Sequence, residues 1–235
     1  MPALSGRADP GARRPGDGPP ARIALSQVES ALVQMQREFE ALNSRLGARR
    51  DPLDDRVVAN LLAAYAFVDA AVADGLDLFA MGNLRRLLEL NTIVLCGTSP
   101  DRRDAYASHT TATERRFYEE RDGGIRDVVE WLTGRPDESP WDRAAGAHVR
   151  ILTKPQLFIE GNHRTGALVM SYILLRDGQP PFVVSPESAA TFFDLSAMIK
   201  DIPKSGAITL FRLPGLRQRL SALVRQHSDP RFLAS

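Results

Sequence analysis

Residues 167–175 read Ala-Leu-Val-Met-Ser-Tyr-Ile-Leu-Leu and form the most apolar segment of the chain. They follow directly on a turn crowded with polar groups. A helix that is apolar on every side has no face for water and is stable only when other elements surround it. The segment therefore predicts a central helix and an all-α bundle built around it. The turn that opens it reads Phe158-Ile159-Glu160-Gly161-Asn162-His163-Arg164-Thr165-Gly166. A helix start carries unpaired backbone N–H groups and the positive end of the macrodipole. Gly161 lets a ligand approach the backbone, and Arg164 adds a fixed charge. The N–H groups of residues 161–166 are thus expected to hold an anion, phosphate above all. Glu160 offers the hard oxygen that a divalent cation such as Mg2+ prefers when it bridges to phosphates. The plainer reading is a helix cap, with Asn162 capping and Arg164 paired to Glu160 at the surface.

The rest of the chain supplies helices to wrap that centre. Leu25, Val28, Leu32, Met35, Phe39, Leu42 and Leu46 recur at threes and fours between Ser26, a candidate cap, and Gly47. Further helical patterns run over 52–74, 82–96, 125–133 and 141–154. Pro155 bars a smooth continuation into the loop. Beyond the central helix, Ser185-Pro186 opens a helix through Ile199, and Leu213-Pro214 opens a last one that fades at His227. Residues 98–123 alternate acids with Arg102, Arg103, Arg115, Arg116 and Arg121, and read as a charged, solvated helix with a break within 109–113. Strand signals are few, at 182–184 and 207–211. Residues 1–22, rich in Gly, Pro and Arg, read as a disordered tail ahead of one domain over 23–235. Arg7, Arg13, Arg14 and Arg22 leave a basic recognition arm as the alternative, diluted by Asp9 and Asp17.

Composition narrows the function classes. With 30 basic and 29 acidic residues, the net charge of +1 argues against a protein that coats nucleic acid. A single cysteine, Cys96, rules out a disulfide framework within the chain and reads as a packing residue in a reducing, cytoplasmic setting. No apolar run is expected to cross a bilayer. No apolar h-region follows the N-terminal arginines, so no secretory signal is expected.

The loop resembles the active loop of the Fic/Doc (Fido) family, whose pattern is His-Pro-Phe-x-Asp/Glu-Gly-Asn-Gly-Arg-x-x-Arg. Phe158, Glu160, Gly161, Asn162 and Arg164 match it. Gln156 stands at the family's catalytic His, Leu157 at its Pro, His163 at its second Gly and Ala167 at its last Arg. The likeness extends over 144–181 and, more weakly, to Leu87–Asn91 and Ile125–Leu132. It implies a Fic-like helical bundle, in which a β-hairpin flap usually occupies the place of residues 98–123. It further implies that Glu160 holds a metal, while Asn162, Arg164 and the turn amides hold nucleotide phosphates. The best-known members transfer AMP from ATP to protein hydroxyls. In the Doc branch a Lys occupies the position of His163 and ATP binds reversed, so His163 is compatible with a reversed or shortened ligand. The family's self-inhibitory Ser/Thr-x-x-x-Glu-Gly/Asn pattern does not occur before the loop.

Gln156 accepts no proton near neutral pH, and a lost general base costs about 10²–10⁴ in rate. The expected function is a Fic-fold pseudoenzyme that binds a phosphate-containing ligand, a nucleotide or another phosphorylated small molecule, or a protein partner. A divergent transferase that uses His163 or the substrate as base is the alternative, with His148 a remoter candidate base. A third possibility is a helical interaction module built on the N-terminal amphipathic helix.

Overall fold

The computed structural model describes residues 20–47, 49–119 and 123–234. The disordered-tail expectation for residues 1–19 lies outside these, as do Glu120 and Arg121. Ten α-helices run through the described residues: α1 (Leu25–Asn43), α2 (Asp55–Ala73), α3 (Arg85–Cys96), α4 (Pro100–Ala105), α5 (Ala107–Glu119), α6 (Ile125–Thr133), α7 (Pro140–Leu152), α8 (Asn162–Arg176), α9 (Pro186–Lys200) and α10 (Ala207–Gln226). The described residues hold isolated β-bridges, such as Ile23 with Leu233, and no named strand. The all-α expectation holds.

Helix α8 is the centre. It is buried from Thr165 through Leu175 on all sides, packed against α7, α2 and α3. Its few polar groups are spent inside the core. Ser171 Oγ and Tyr65 Oη both donate to the carbonyl of Phe182, at 2.9 and 2.8 Å. Tyr172 Oη donates to Leu76 O at 2.6 Å and accepts from Leu78 N at 2.9 Å. Helices α1 and α9 close one side and α10 the other, against α7 and α9.

Several boundaries differ from expectation. Arg22, assigned to the tail, is anchored. Its guanidinium meets the Asp69 carboxylate at 2.6 Å, and the same carboxylate accepts from Ile23 N. Helix α1 starts at Leu25 with Ala24 as cap, so Ser26 does not cap it. The break in the charged region falls at Tyr106, between α4 and α5, not within 109–113. Nor is that region simply solvated. Arg103 bonds Glu89 at 2.7 Å and Gly97 O, while Phe117 is fully buried and stacks on Phe158. The strand signal at 207–211 is overturned, since these residues open α10 with Pro214 inside it. They are exposed with no strand beside them, and only a helix satisfies its backbone without a neighbour. Residues 182–184 form no strand, and the Phe182 carbonyl is taken by side chains rather than a ladder. Finally, α2 with mean hydropathy 1.5 is long and apolar enough, by length and composition, to cross a membrane. That corrects the expectation that no run reaches the length. Here it packs against α1, α3 and α8.

Candidate functional site

The loop joining α7 to α8 is tied down from three directions. Its own Asn162 does most of the work. The Asn162 side chain accepts from Phe158 N at 2.9 Å, donates to Phe158 O at 2.8 Å and donates to Gln156 Oε1 at 3.3 Å. From α3, buried Asn91 donates to Glu160 O at 3.0 Å and to Thr165 Oγ1 at 2.9 Å. From α5, Arg116 Nε donates to Gln156 O at 2.7 Å. A loop held this way has little freedom to rearrange, because each tie leaves a buried group unpaired if broken.

This geometry sorts the residues that the sequence singled out. Gly161 sits at φ 77°, the left-handed region, and a Cβ there would come within 2.8 Å of Asn91 Nδ2. Its conformation and the space for Asn91 explain the glycine, rather than the approach of a ligand. Asn162 is buried, with its amide committed to the loop, so it neither caps α8 nor presents its side chain to an anion. Thr165 and Gly166 face the core. Thr165 is fully buried under Asn91, its N–H already bonds Gly161 O at 2.9 Å, and a Cβ on Gly166 would strike His148 Nδ1 at 2.5 Å. The anion slot expected over 161–166 therefore contracts to the first-turn amides of Asn162, His163 and Arg164. These find no acceptor among the described residues, and α8 has no side-chain cap.

Arg164 is half-buried beside this slot. Among the described residues it has no ion pair or hydrogen bond, so the surface pair with Glu160 that a plain helix cap would make does not form. Burial pulls its pKa below the ordinary arginine value, partly offset by the carboxylates of Glu160, Asp51 and Asp54 nearby. Glu160 is exposed and uses only its backbone carbonyl. The described residues contain no group of three or more metal-ligating side chains.

His163 differs most from a bare turn residue. Its Nε2 lies 3.3 Å from Arg50 Nη1. A guanidinium only donates, so Nε2 accepts and the proton of the neutral ring sits on Nδ1. Burial, with His148, Arg50, Lys200 and Arg164 near it, lowers the His163 pKa to about 3. His148 is fully buried between Ser196 and Phe192, with its pKa lowered to about 4 by burial. It is a core histidine and reaches no ligand.

A cavity of about 580 Å³ opens over the loop, bounded by α1, α2, α8 and α9. That is within the range of small-molecule sites, about 300–1,000 Å³. Gln156, Glu160, Gly161, Asn162, His163 and Arg164 line one side. Three contributors went unassigned in the sequence. Arg50 comes from the strap joining α1 to α2 and Lys200 from the end of α9. Arg116, read there as a surface charge, holds the loop from outside. Asn91 lies in the Leu87–Asn91 stretch that already resembled the family, so its signal was present without its role.

No family model matches the chain. It is similar to protein adenylyltransferase fic-1 of Caenorhabditis briggsae, 30% identical over 125 residues, covering 47% of this chain and 24% of that protein. The Caenorhabditis elegans protein of the same name is 29% identical over 123 residues, covering 46% and 23%. The chain thus spans about a quarter of the length of these relatives. A solved fragment of C. elegans Fic-1 superposes with a TM-score of 0.45 at 18% identity, over 87% of this chain and 69% of that one. Over the loop and the helices that hold it, the chain is thus similar to Fic-type protein adenylyltransferases.

Proposed function

We propose that this chain is a Fic/Fido domain that binds a phosphate-bearing ligand at the N-terminus of α8 and does not carry out ordinary AMP transfer. The observation that carries the binding half is Arg164, half-buried, unpaired and beside three first-turn amides without acceptors. A guanidinium held partly out of water without a hydrogen-bonded anion is costly, and a phosphate would satisfy both it and the amides. Mg2+ fits as an ion carried on the phosphates. Glu160 is the one loop carboxylate free to touch it, and Mg2+ is commonly held by one or two carboxylates plus phosphate oxygens. When bound, the ion would neutralise phosphate charge.

The absence of transfer rests on the acid–base inventory. Attack by a hydroxyl needs a group to take its proton. Gln156 stands where the family has its His, and its side-chain oxygen accepts from Asn162. The one lone pair of neutral His163 points at Arg50, so His163 is a poor base in this arrangement. Its ring also fills room that a glycine would leave for phosphate.

Incubation of the purified protein with labelled ATP and Mg2+ is expected to give no AMP incorporation by autoradiography or mass spectrometry. Gln156→His alone should change little. Gln156→His combined with His163→Gly should give weak self-modification, since it restores the base and removes the imidazole. Robust labelling of the unmodified protein would overturn the proposal in favour of transfer with His163 or the substrate as base. Loss of that labelling in His163→Ala would then name the residue.

A further inference from the structure

Two guanidinium groups, Arg164 and Arg50, line the cavity without an ion pair among the described residues, although the carboxylates of Asp51, Asp54 and Glu160 line it as well. Arg50 is set in place by its own backbone. Its N–H donates to Asn43 Oδ1 at 2.7 Å and its carbonyl accepts from Asn43 Nδ2 at 2.9 Å. The side chain then crosses to α9, where Nη2 donates to Phe193 O at 3.1 Å and the group stacks over the Phe193 ring at 5.3 Å. Among the described residues it makes no ion pair, and burial pulls its pKa down. Two polar atoms at this spot are buried without any partner, Arg50 Nε and His163 Nδ1. Both are donors, and both sit within one contact of each other. Buried donors without acceptors are rare in folded proteins and mark this spot as strained for hydrogen bonding.

The placement has a further meaning. His163 and Ala167 stand four residues apart on α8 and share one face of it. Arg50 reaches over His163 and therefore supplies positive charge on the face where Ala167 has none to give. Lys200 adds a third cation on the same side. The cavity also presents apolar side chains, from Leu32, Met35, Phe39, Leu168, Phe192 and Phe193. Two of its polar lining residues are already committed. Tyr65 Oη bonds Phe182 O, and Asn60 Nδ2 bonds the carbonyls of Val94 and Leu95. Beside the cations, the cavity thus has apolar surface to offer a ligand.

We propose that the cavity takes a phosphomonoester with an apolar body, its phosphate held between Arg164 and Arg50 and its body laid against Leu32, Met35, Phe39 and Phe193. This rests on the anion site proposed above and adds the second cation and the class of ligand. A single phosphate suits the space, because the His163 ring occupies part of the first turn. The dianion would meet two guanidinium groups and the first-turn amides, all of which only donate.

The test is calorimetric titration of the full chain, at one fixed ionic strength, with hexyl phosphate, AMP and inorganic phosphate. Hexyl phosphate should bind at least about tenfold more tightly than inorganic phosphate, through burial of its methylenes, and more tightly than AMP. Arg50→Gln should weaken hexyl phosphate by about tenfold or more, and Arg50→Lys by a smaller factor, because lysine keeps the charge and loses the fork. The ligand series on the unmodified protein needs no variant to fold, and melting curves identify any variant that does not. AMP binding more tightly than hexyl phosphate, or unchanged affinity in Arg50→Lys, overturns this proposal while leaving the Arg164 anion site standing. Failure of all three ligands to bind sinks the anion site, and this proposal with it.

Discussion

At the scale of single residues, the loop shows how identity and role separate. Asn162 looked like a ligand residue because of its place in the motif, yet it is the staple of its own loop. Removing it leaves the Phe158 N–H and C=O buried without partners. Asn162→Ala is therefore expected to cost about 2–4 kcal/mol of stability, as two buried backbone groups lose their partners at about 1–3 kcal/mol each, partly relaxed. Urea denaturation checks this, and a change below about 0.5 kcal/mol would contradict the staple. Arg164 behaves in the opposite way. It contributes nothing visible to the fold, so Arg164→Ala should leave stability within about 0.5 kcal/mol. The same change should weaken phosphate-ligand binding by roughly 1.5–3 kcal/mol, the range for a hydrogen bond to a charged group. Calorimetry on one protein pair reads both quantities.

At the scale of elements, α8 and α5 matter for different reasons. Helix α8 is held on every side, and Leu174 within it is fully buried. Leu174→Ala should cost about 2–5 kcal/mol, since a packed core relaxes only partly into a cavity. Helix α5 holds the loop through Phe117, stacked on Phe158, and through Arg116, whose guanidinium reaches the Gln156 carbonyl at 2.7 Å. Arg116→Ala should loosen the loop without melting the bundle. Hydrogen exchange at the amides of residues 156–160 should accelerate while those of α7 and α8 stay protected. Uniform acceleration over both helices would mean that Arg116 supports the whole fold instead.

At the scale of the molecule, buried titratable groups set the pH response. His148 takes up a proton only at about pH 4 in the folded chain, against about 6.5 when unfolded. The unfolded state therefore binds more protons across that window, and stability falls as pH drops from 6.5 towards 4. Between pH 7 and pH 4 this single group should remove about 3 kcal/mol. Asp69 acts in the same direction lower down. Burial pushes its pKa up, but Arg22 and the Ile23 N–H outweigh that and hold it below the ordinary carboxylate value. Its contribution is present above that value and is lost as pH falls through the folded one. Chemical denaturation at pH 7 and pH 4.5 should show the drop, reduced in His148→Gln. Equal stability at both pH values would mean that His148 is not the neutral core residue described here.

The sequence by itself determined the class of fold, the centre of it and the loop. Ala167–Leu175 had to be buried because no face of it suits water, and helical spacing on both sides left only helices to bury it. The Glu160–Arg164 turn was legible because its residue types sit within five positions of one another. What the tertiary structure decided is everything that arrives from far along the chain. Arg50 stands 113 residues from His163 and meets it only because the strap after α1 lines the same cavity. Asn91 and Arg116 reach the loop from helices whose packing no local pattern specifies. Packing also decided which way each loop residue turns, sending Asn162, Thr165 and Gly166 inward and leaving Arg164 at the cavity. The physical reason is that helical periodicity fixes which residues are buried, while the partner across a core contact depends on how whole helices cross.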